Sequence, residues 1–243
     1  QIRKVKDPPK ETPRKILHPN LPQLPCIMTI VAPTKSGKTN LLSNLLLRDD
    51  FYKDVHDNIT IMSNSIESDV TGRFLRQACD CYTGYSDEVL GGIITQQKSF
   101  SNEDRPFIGL VFDDILGSVK RNSYLNSLVT RSRHFGVGLL AISVQSFKSL
   151  GPVIRNNCNA FICLNLQNMS ELDKISDEMS GMFGGDEKFR RIYHEATSER
   201  YDFLYLDLQS NPSRAFKNFN QLLAEGDKLH FGGGSMEKNK LED

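Results

Sequence analysis

The residues whose types and spacing carry the clearest chemistry are Ala32-Pro33-Thr34-Lys35-Ser36-Gly37-Lys38-Thr39. They meet the pattern G-x-x-x-x-G-K-[ST] at every specified position except the first, where Ala32 stands for glycine. In such a loop the backbone N–H groups of residues 34–37 converge on phosphate oxygens, Pro33 (which has no N–H) belongs to the same binding loop, and the following helix N-terminus adds its partial positive charge. Gly37 lets the backbone pass close to the phosphates. The Lys38 ammonium reaches the β- and γ-oxygens, and the Thr39 hydroxyl is a ligand for Mg²⁺. Ala32 adds one methyl, a burden only if φ there must be positive.

A phosphate loop needs an acid at the end of a nearby apolar strand. The run 107–112 (FIGLVF) leads into Asp113-Asp114. Asp113 is the expected Mg²⁺ residue, and Asp114 the expected general base that polarises the attacking water. Many enzymes of this kind carry Glu at the second position, so Asp114 is one methylene shorter. The run 137–143 ends at Val144-Gln145-Ser146, which puts an amide at a strand tip. Gln145 is therefore the expected γ-phosphate sensor. An arginine supplied by a neighbouring subunit often completes such sites. Arg131, Arg133 and Arg155 are the candidates, expected near strand carboxyl ends or on the helices between.

Alternating elements must position these side chains. Apolar runs predict strands at 26–32, 58–62, 107–112, 137–143, 160–164 and 201–208. Helical spacing predicts helices at 39–47, 70–79, 87–98, 123–133, 171–182 and 187–196. That alternation implies an α/β fold with a mainly parallel central sheet flanked by helices and ligands at the strands' carboxyl ends. Placing the Gln145 strand between the loop strand and the Asp-Asp strand makes it the additional-strand, catalytic-acid type of phosphate-loop NTPase. Residues 1–25, with six prolines and an excess of Lys and Arg, read as an extended basic arm; 26–226 as the ATPase domain; and 227–243 as a flexible tail.

The 243 residues carry 30 Lys and Arg against 30 Asp and Glu, so net charge gives no sign of a polyanion partner. Composition excludes collagen, coiled coil and wholesale disorder, with 38% hydrophobic and 25% charged residues. Cys26, Cys79, Cys81, Cys158 and Cys163 lack the paired spacing of a zinc site and are expected as reduced thiols in a reducing, intracellular compartment. The apolar stretches are strand-length, so no membrane span is expected.

The ordered set of motifs resembles the genome-packaging ATPases of large eukaryotic DNA viruses and virophages (the poxvirus type), a branch of the FtsK–HerA superfamily. The resemblance rests on residues 32–39, Phe112-Asp-Asp-Ile115, Arg133-His-Phe-Gly136, Ser143-Val-Gln-Ser146 and the segment 150–157, and spans residues 24–210. It implies a RecA-like domain that binds ATP and Mg²⁺ and assembles into a homo-oligomeric ring, pentamer or hexamer. It further implies translocation of double-stranded DNA into a preformed capsid, capsid vertex proteins as partners, and a location in the host cytoplasm (viral factory) or the virion. It repeats the roles of Lys38, Thr39, Asp113 and Gln145 and leaves open which arginine acts in trans. Lys120 and Arg121 are candidates for a pore.

Two other functions fit the same loop. A small-molecule kinase would need an Arg-rich lid, and 187–191 (EKFRR) is the only stretch like one. A non-catalytic module that binds ATP as an assembly switch is compatible with Asp at position 114.

Overall fold

The computed structural model describes residues 18–119 and 123–226. The arm and tail expected at 1–25 and 227–243 lie outside them except for His18–Pro25, and so do Lys120 and Arg121. One nine-stranded sheet runs through the described residues in the order β3-β2-β4-β5-β1-β6-β7-β8-β9. In chain order the strands are β1 (Cys26–Val31), β2 (Asn58–Ser63), β3 (Asp80–Thr83), β4 (Ile108–Asp113), β5 (Val137–Val144), β6 (Ala160–Leu164), β7 (Phe203–Asp207), β8 (Arg214–Lys217) and β9 (Gln221–Glu225). The helices are α1 (Lys38–Leu47), α2 (Arg73–Ala78), α3 (Asp87–Ser99), α4 (Tyr124–Arg131), α5 (Pro152–Asn157), α6 (Met169–Met179) and α7 (Asp186–Ala196).

The central strands are parallel: β3, β2, β4, β5, β1 and β6 all run one way. Helices cover both faces, so β1, β4, β5 and β6 are buried at every position and read as unbroken apolar runs. Alternation along β1 decides which layer each residue joins. Met28 and Ile30 pack with Leu41, Leu42, Leu45 and Leu46 of α1. Ile27 and Val31 face the opposite layer, with Leu128 of α4 and Leu172 of α6. The same alternation in β5 sends Leu140 and Ile142 to the second layer and Leu139 and Ala141 to the first.

β5 pairs with β1 on one side and β4 on the other, which is the inserted-strand order expected for Gln145. The last expected strand departs from the parallel pattern. β7 runs antiparallel to β6, and β8 and β9 continue antiparallel beyond it. β3, β8, β9 and α5 have no counterpart among the sequence-expected elements. β3 occupies four residues, and its Asp80, Tyr82 and Thr83 are exposed, so it shows no apolar run of its own. β9 is exposed or half-buried throughout. β7 also settles the geometry of the open edge: it starts at the carboxyl edge of the parallel strands, and the turn from β8 to β9 returns there.

Residues 18–25, which lead into β1, pack on this body. Leu21 and Leu24 are buried. The Tyr52 hydroxyl donates to the Pro22 carbonyl at 2.8 Å, and the Gln209 amide donates to the Gln23 carbonyl at 2.8 Å.

Candidate nucleotide site

The loop between β1 and α1 turns on two residues in left-handed backbone, Lys35 at φ 62° and Gly37 at φ 100°. Ala32 is not in that region; its N–H donates to the Val144 carbonyl at 2.9 Å, and its methyl is fully buried. Alanine at the motif's first position therefore carries no backbone strain. The Ser36 N–H and hydroxyl both donate to the Pro33 carbonyl, at 3.2 and 2.7 Å, and fold the loop back on itself. Gly37 is the N-cap of α1 with no side chain to cap it, which leaves the first-turn N–H groups available to an anion.

Gly37 is also where the loop is most tightly held. A Cβ there would lie 2.7 Å from Cδ1 of Tyr201, in a backbone region that L-residues rarely adopt. Gly37→Ala is expected to cost about 1–3 kcal/mol and to shift the loop. The check is a thermal melt with and without ATP: the variant should melt lower and lose the ATP-dependent rise, whereas an unchanged rise would show that the loop tolerates the methyl.

Register brings the acids together. Ser63, Asp113 and Ser143 are aligned across the carboxyl ends of β2, β4 and β5. The Ser63 hydroxyl donates to Asp113 Oδ2 at 2.8 Å, and the Ser143 hydroxyl donates to Asp113 Oδ1. Asp113 is 4% exposed, so these donors and Lys38 satisfy a charge that burial alone would make costly. Lys38 Nζ lies 3.1 Å from Asp113 Oδ1 and also pairs with Asp114 Oδ2.

Asp114 has left-handed backbone, φ 54°, which aspartate tolerates better than most residues. Its N–H donates to the Ser143 carbonyl at 3.1 Å, and its carbonyl accepts from the Asn64 amide at 2.8 Å. Those bonds turn its carboxylate toward the loop rather than along the strand. Gln145 Nε2 donates to Asp114 Oδ2 at 3.1 Å, while the Thr34 hydroxyl donates to Gln145 Oε1 at 3.1 Å. Lys38, Asp114, Gln145 and Thr34 thus form one continuous polar chain over the loop.

Three supporting residues were not legible as site residues. Glu171, in the first turn of α6, accepts from the Ser146 hydroxyl at 2.9 Å and the Phe147 N–H at 2.7 Å, and so anchors the segment that carries Gln145. Burial pushes its carboxyl up, but the bonds from Lys174, Ser146 and Phe147 outweigh that and hold it below the usual carboxylate range. Asp69, in the segment after β2, meets the Thr39 hydroxyl. Partial burial raises its carboxyl, and the bonds from Thr39 and the Thr71 and Gly72 N–H groups bring it below the ordinary value. Tyr201 caps Gly37. The sequence marks none of them, because each is joined to the site through a non-local contact.

The arginines are not gathered with the rest. Arg133 sits in a short 3-10 turn, Ser132–Phe135, directly before β5, so it stands at the amino edge of the sheet opposite the phosphate loop. There it lines a polar cavity of about 420 Å³ with Asn159 and Gln209. Arg131 closes α4 and Arg133 follows directly, within the expected helix 123–133, and that helix has carried the chain back across the sheet before either is reached. Arg155, on α5, pairs with Glu178 at 2.7 Å, its guanidinium 5.3 Å from the Phe147 ring centre. Neither reaches Lys38 or Asp114 within this chain. In the Arg-rich segment 187–191, Arg190 and Arg191 lie on α7 paired with Asp186, Asp173 and Glu187.

All five cysteines are free thiols. No helix among the described residues is long and apolar enough to cross a membrane.

No protein-family profile matches the chain, and no curated protein sequence matches it. Solved structures do. The genome packaging NTPase B204 from Sulfolobus turreted icosahedral virus 2, in complex with AMPPCP, is 19% identical over 79% of this chain and 97% of that one, with a TM-score of 0.56. Its complex with ATP-gammaS aligns over 80% of this chain and 98% of that one, at 18% identity and a TM-score of 0.54. B204, the DNA-packaging ATPase from Sulfolobus Turreted Icosahedral Virus, is 17% identical over 79% and 97% of the two chains, with a TM-score of 0.54. The chain has the α/β, mainly parallel-sheet fold of these phosphate-loop NTPases.

Proposed function

We propose that this chain hydrolyses ATP to drive double-stranded DNA into a preformed capsid, as one subunit of a homo-oligomeric ring of the FtsK–HerA superfamily. The observation that carries the reading is the convergence of Lys38, Asp113, Asp114 and Gln145 on one phosphate loop, with Gln145 delivered by the strand between loop and acids. The shared fold with a viral packaging NTPase solved in complex with ATP analogues supports it.

In this reading the loop amides and Lys38 bind the β- and γ-phosphates, so Lys38 exchanges the Asp114 carboxylate for phosphate oxygens. Asp114 is then free to accept a proton from the attacking water. Gln145, within hydrogen-bond reach of Asp114, orients that water. The water oxygen bonds to the γ-phosphorus as the bond to the bridging oxygen breaks, and ADP keeps that electron pair.

The Thr39 hydroxyl and the Asp113 carboxylate are hard oxygen donors of the kind Mg²⁺ takes alongside nucleotide phosphates. Thr39 and Asp113 would hold the ion, which when bound offsets charge on the β- and γ-phosphates. Arg133 and Arg155, neither of them paired with the loop or the acids of its own chain, are the candidates to complete a neighbouring subunit's site. Capsid vertex proteins are the proposed docking partners, in the host cytoplasm or the virion.

The test is steady-state ATP hydrolysis with and without double-stranded DNA. Turnover that rises severalfold with DNA is the expected result. Tight ATP binding with no turnover in the assembled oligomer would replace the motor with a nucleotide-dependent assembly switch.

A further inference from the structure

Beside the phosphate loop lies a second feature that the hydrolytic chemistry does not use. A cavity of about 280 Å³ opens from Gly37 and runs along the exposed side of α1. Its floor is an i, i+4 row of amides, Asn40 and Asn44, with Leu41 between them. Its wall comes from the antiparallel extension: Tyr201 and Phe203 at the start of β7, and Phe219 in the turn between β8 and β9. Antiparallel pairing is what brings that wall to the loop, because β7 begins and β8 ends at the carboxyl edge of β6.

The lining suits a flat, weakly polar ring system. Tyr201 is 51% exposed, an aromatic ring left half open to solvent, and it is held against the loop glycine in left-handed backbone at φ 74°. The Arg200 guanidinium lies 4.7 Å from its ring centre. Asn44 Nδ2 is committed to the Asn40 carbonyl at 2.7 Å, which turns the amide and leaves Oδ1 as an acceptor. The Asn40 side chain makes no hydrogen bond to the described residues. An acceptor and an amide donor beside an aromatic wall match the hydrogen-bonding edge of a nucleobase.

We infer that this cavity holds the nucleoside half of the bound nucleotide, with Tyr201 as the stacking wall and Asn40 and Asn44 as the residues that read a purine's polar edge. The inference rests on the proposed function for the phosphate half. It adds that the stacking part of the affinity comes from the β7–β9 extension and base choice from the two amides of α1, both outside the phosphate contacts of the loop and its acids. Stacking on one aromatic ring contributes about 1–3 kcal/mol in other nucleic-acid sites, so losing it should weaken binding by roughly tenfold or more.

The experiment compares two probes, ATP and inorganic tripolyphosphate, by calorimetry on the full chain and on Tyr201→Ala, Tyr201→Phe and Asn44→Leu. The expected result is ATP binding weakened at least tenfold in Tyr201→Ala and Asn44→Leu, restored in Tyr201→Phe, with tripolyphosphate unchanged in all. Because Tyr201 also touches Gly37, a fall for both probes in Tyr201→Ala is read against Asn44→Leu, which does not touch the loop. Equal affinity of the parent chain for ATP and tripolyphosphate, or an unaltered preference for ATP in Asn44→Leu, overturns the inference and leaves the phosphate reading standing. If neither probe binds the parent chain, the phosphate reading falls as well.

Discussion

Lys38→Ala is expected to lower ATP turnover by about a thousandfold or more, because a preorganised cation facing the transferring phosphoryl group is worth several kcal/mol in such a site. Its surroundings argue for an effect at the upper end. The Lys38 side chain is 11% exposed and serves two carboxylates at once, Asp113 and Asp114. Alanine removes the phosphate ligand and also leaves those two acids neighbours with no cation between them, so the site repels the triphosphate it should attract. Both kcat and ATP affinity should fall. A coupled-enzyme assay with circular dichroism on the same sample separates this from unfolding. Turnover within tenfold of the parent chain, with the fold intact, would remove Lys38 from the chemistry.

Asp114→Asn is expected to split the two quantities. Loss of a general base costs about 10²–10⁴ in kcat. Binding should move the other way. In the nucleotide-free site Asp114 holds Lys38 and competes with the incoming phosphate. Asparagine is neutral, so ATP meets a less occupied lysine and binds as well as before or up to roughly tenfold tighter. The Asn64 and Ser143 bonds to the Asp114 backbone do not depend on the carboxylate and should keep the left-handed turn in place. Single-turnover hydrolysis together with equilibrium ATP binding checks both. A KM that rises in step with the loss of kcat would make Asp114 a binding residue, and an unchanged kcat would move the base elsewhere.

Legibility varied with how local each determinant is. The phosphate loop is written in eight consecutive residues flanked by a buried apolar run and a helical pattern, and 26–32 and 39–47 appear as β1 and α1 to within a residue. Asp113 and Gln145 were legible because each follows directly on an apolar strand, and a strand end is a place in space as well as in sequence. Glu171, Ser63 and Ser143 were not. A serine at the end of a strand is an ordinary residue until register sets it opposite an aspartate, and register belongs to a pair of strands. Arg133 shows the same limit: its neighbours in sequence place it at the end of a helix, and only the path of α4 across the sheet decides which edge that helix reaches.

The sequence by itself determined the elements that bury continuous apolar surface and the loop whose chemistry is contiguous. Those follow from short-range periodicity, from glycine at φ 100°, and from a lysine and a hydroxyl at fixed offsets from it. Only the tertiary structure decided which side chains surround Asp113, where the arginines stand, and that a cavity walled by Tyr201, Phe203 and Phe219 opens beside Gly37. The physical reason is the same in each case. β3, β8 and β9 are four or five residues long and partly solvated, so they are strands because of the hydrogen-bonding partner beside them, and a partner distant in the chain leaves no periodic trace.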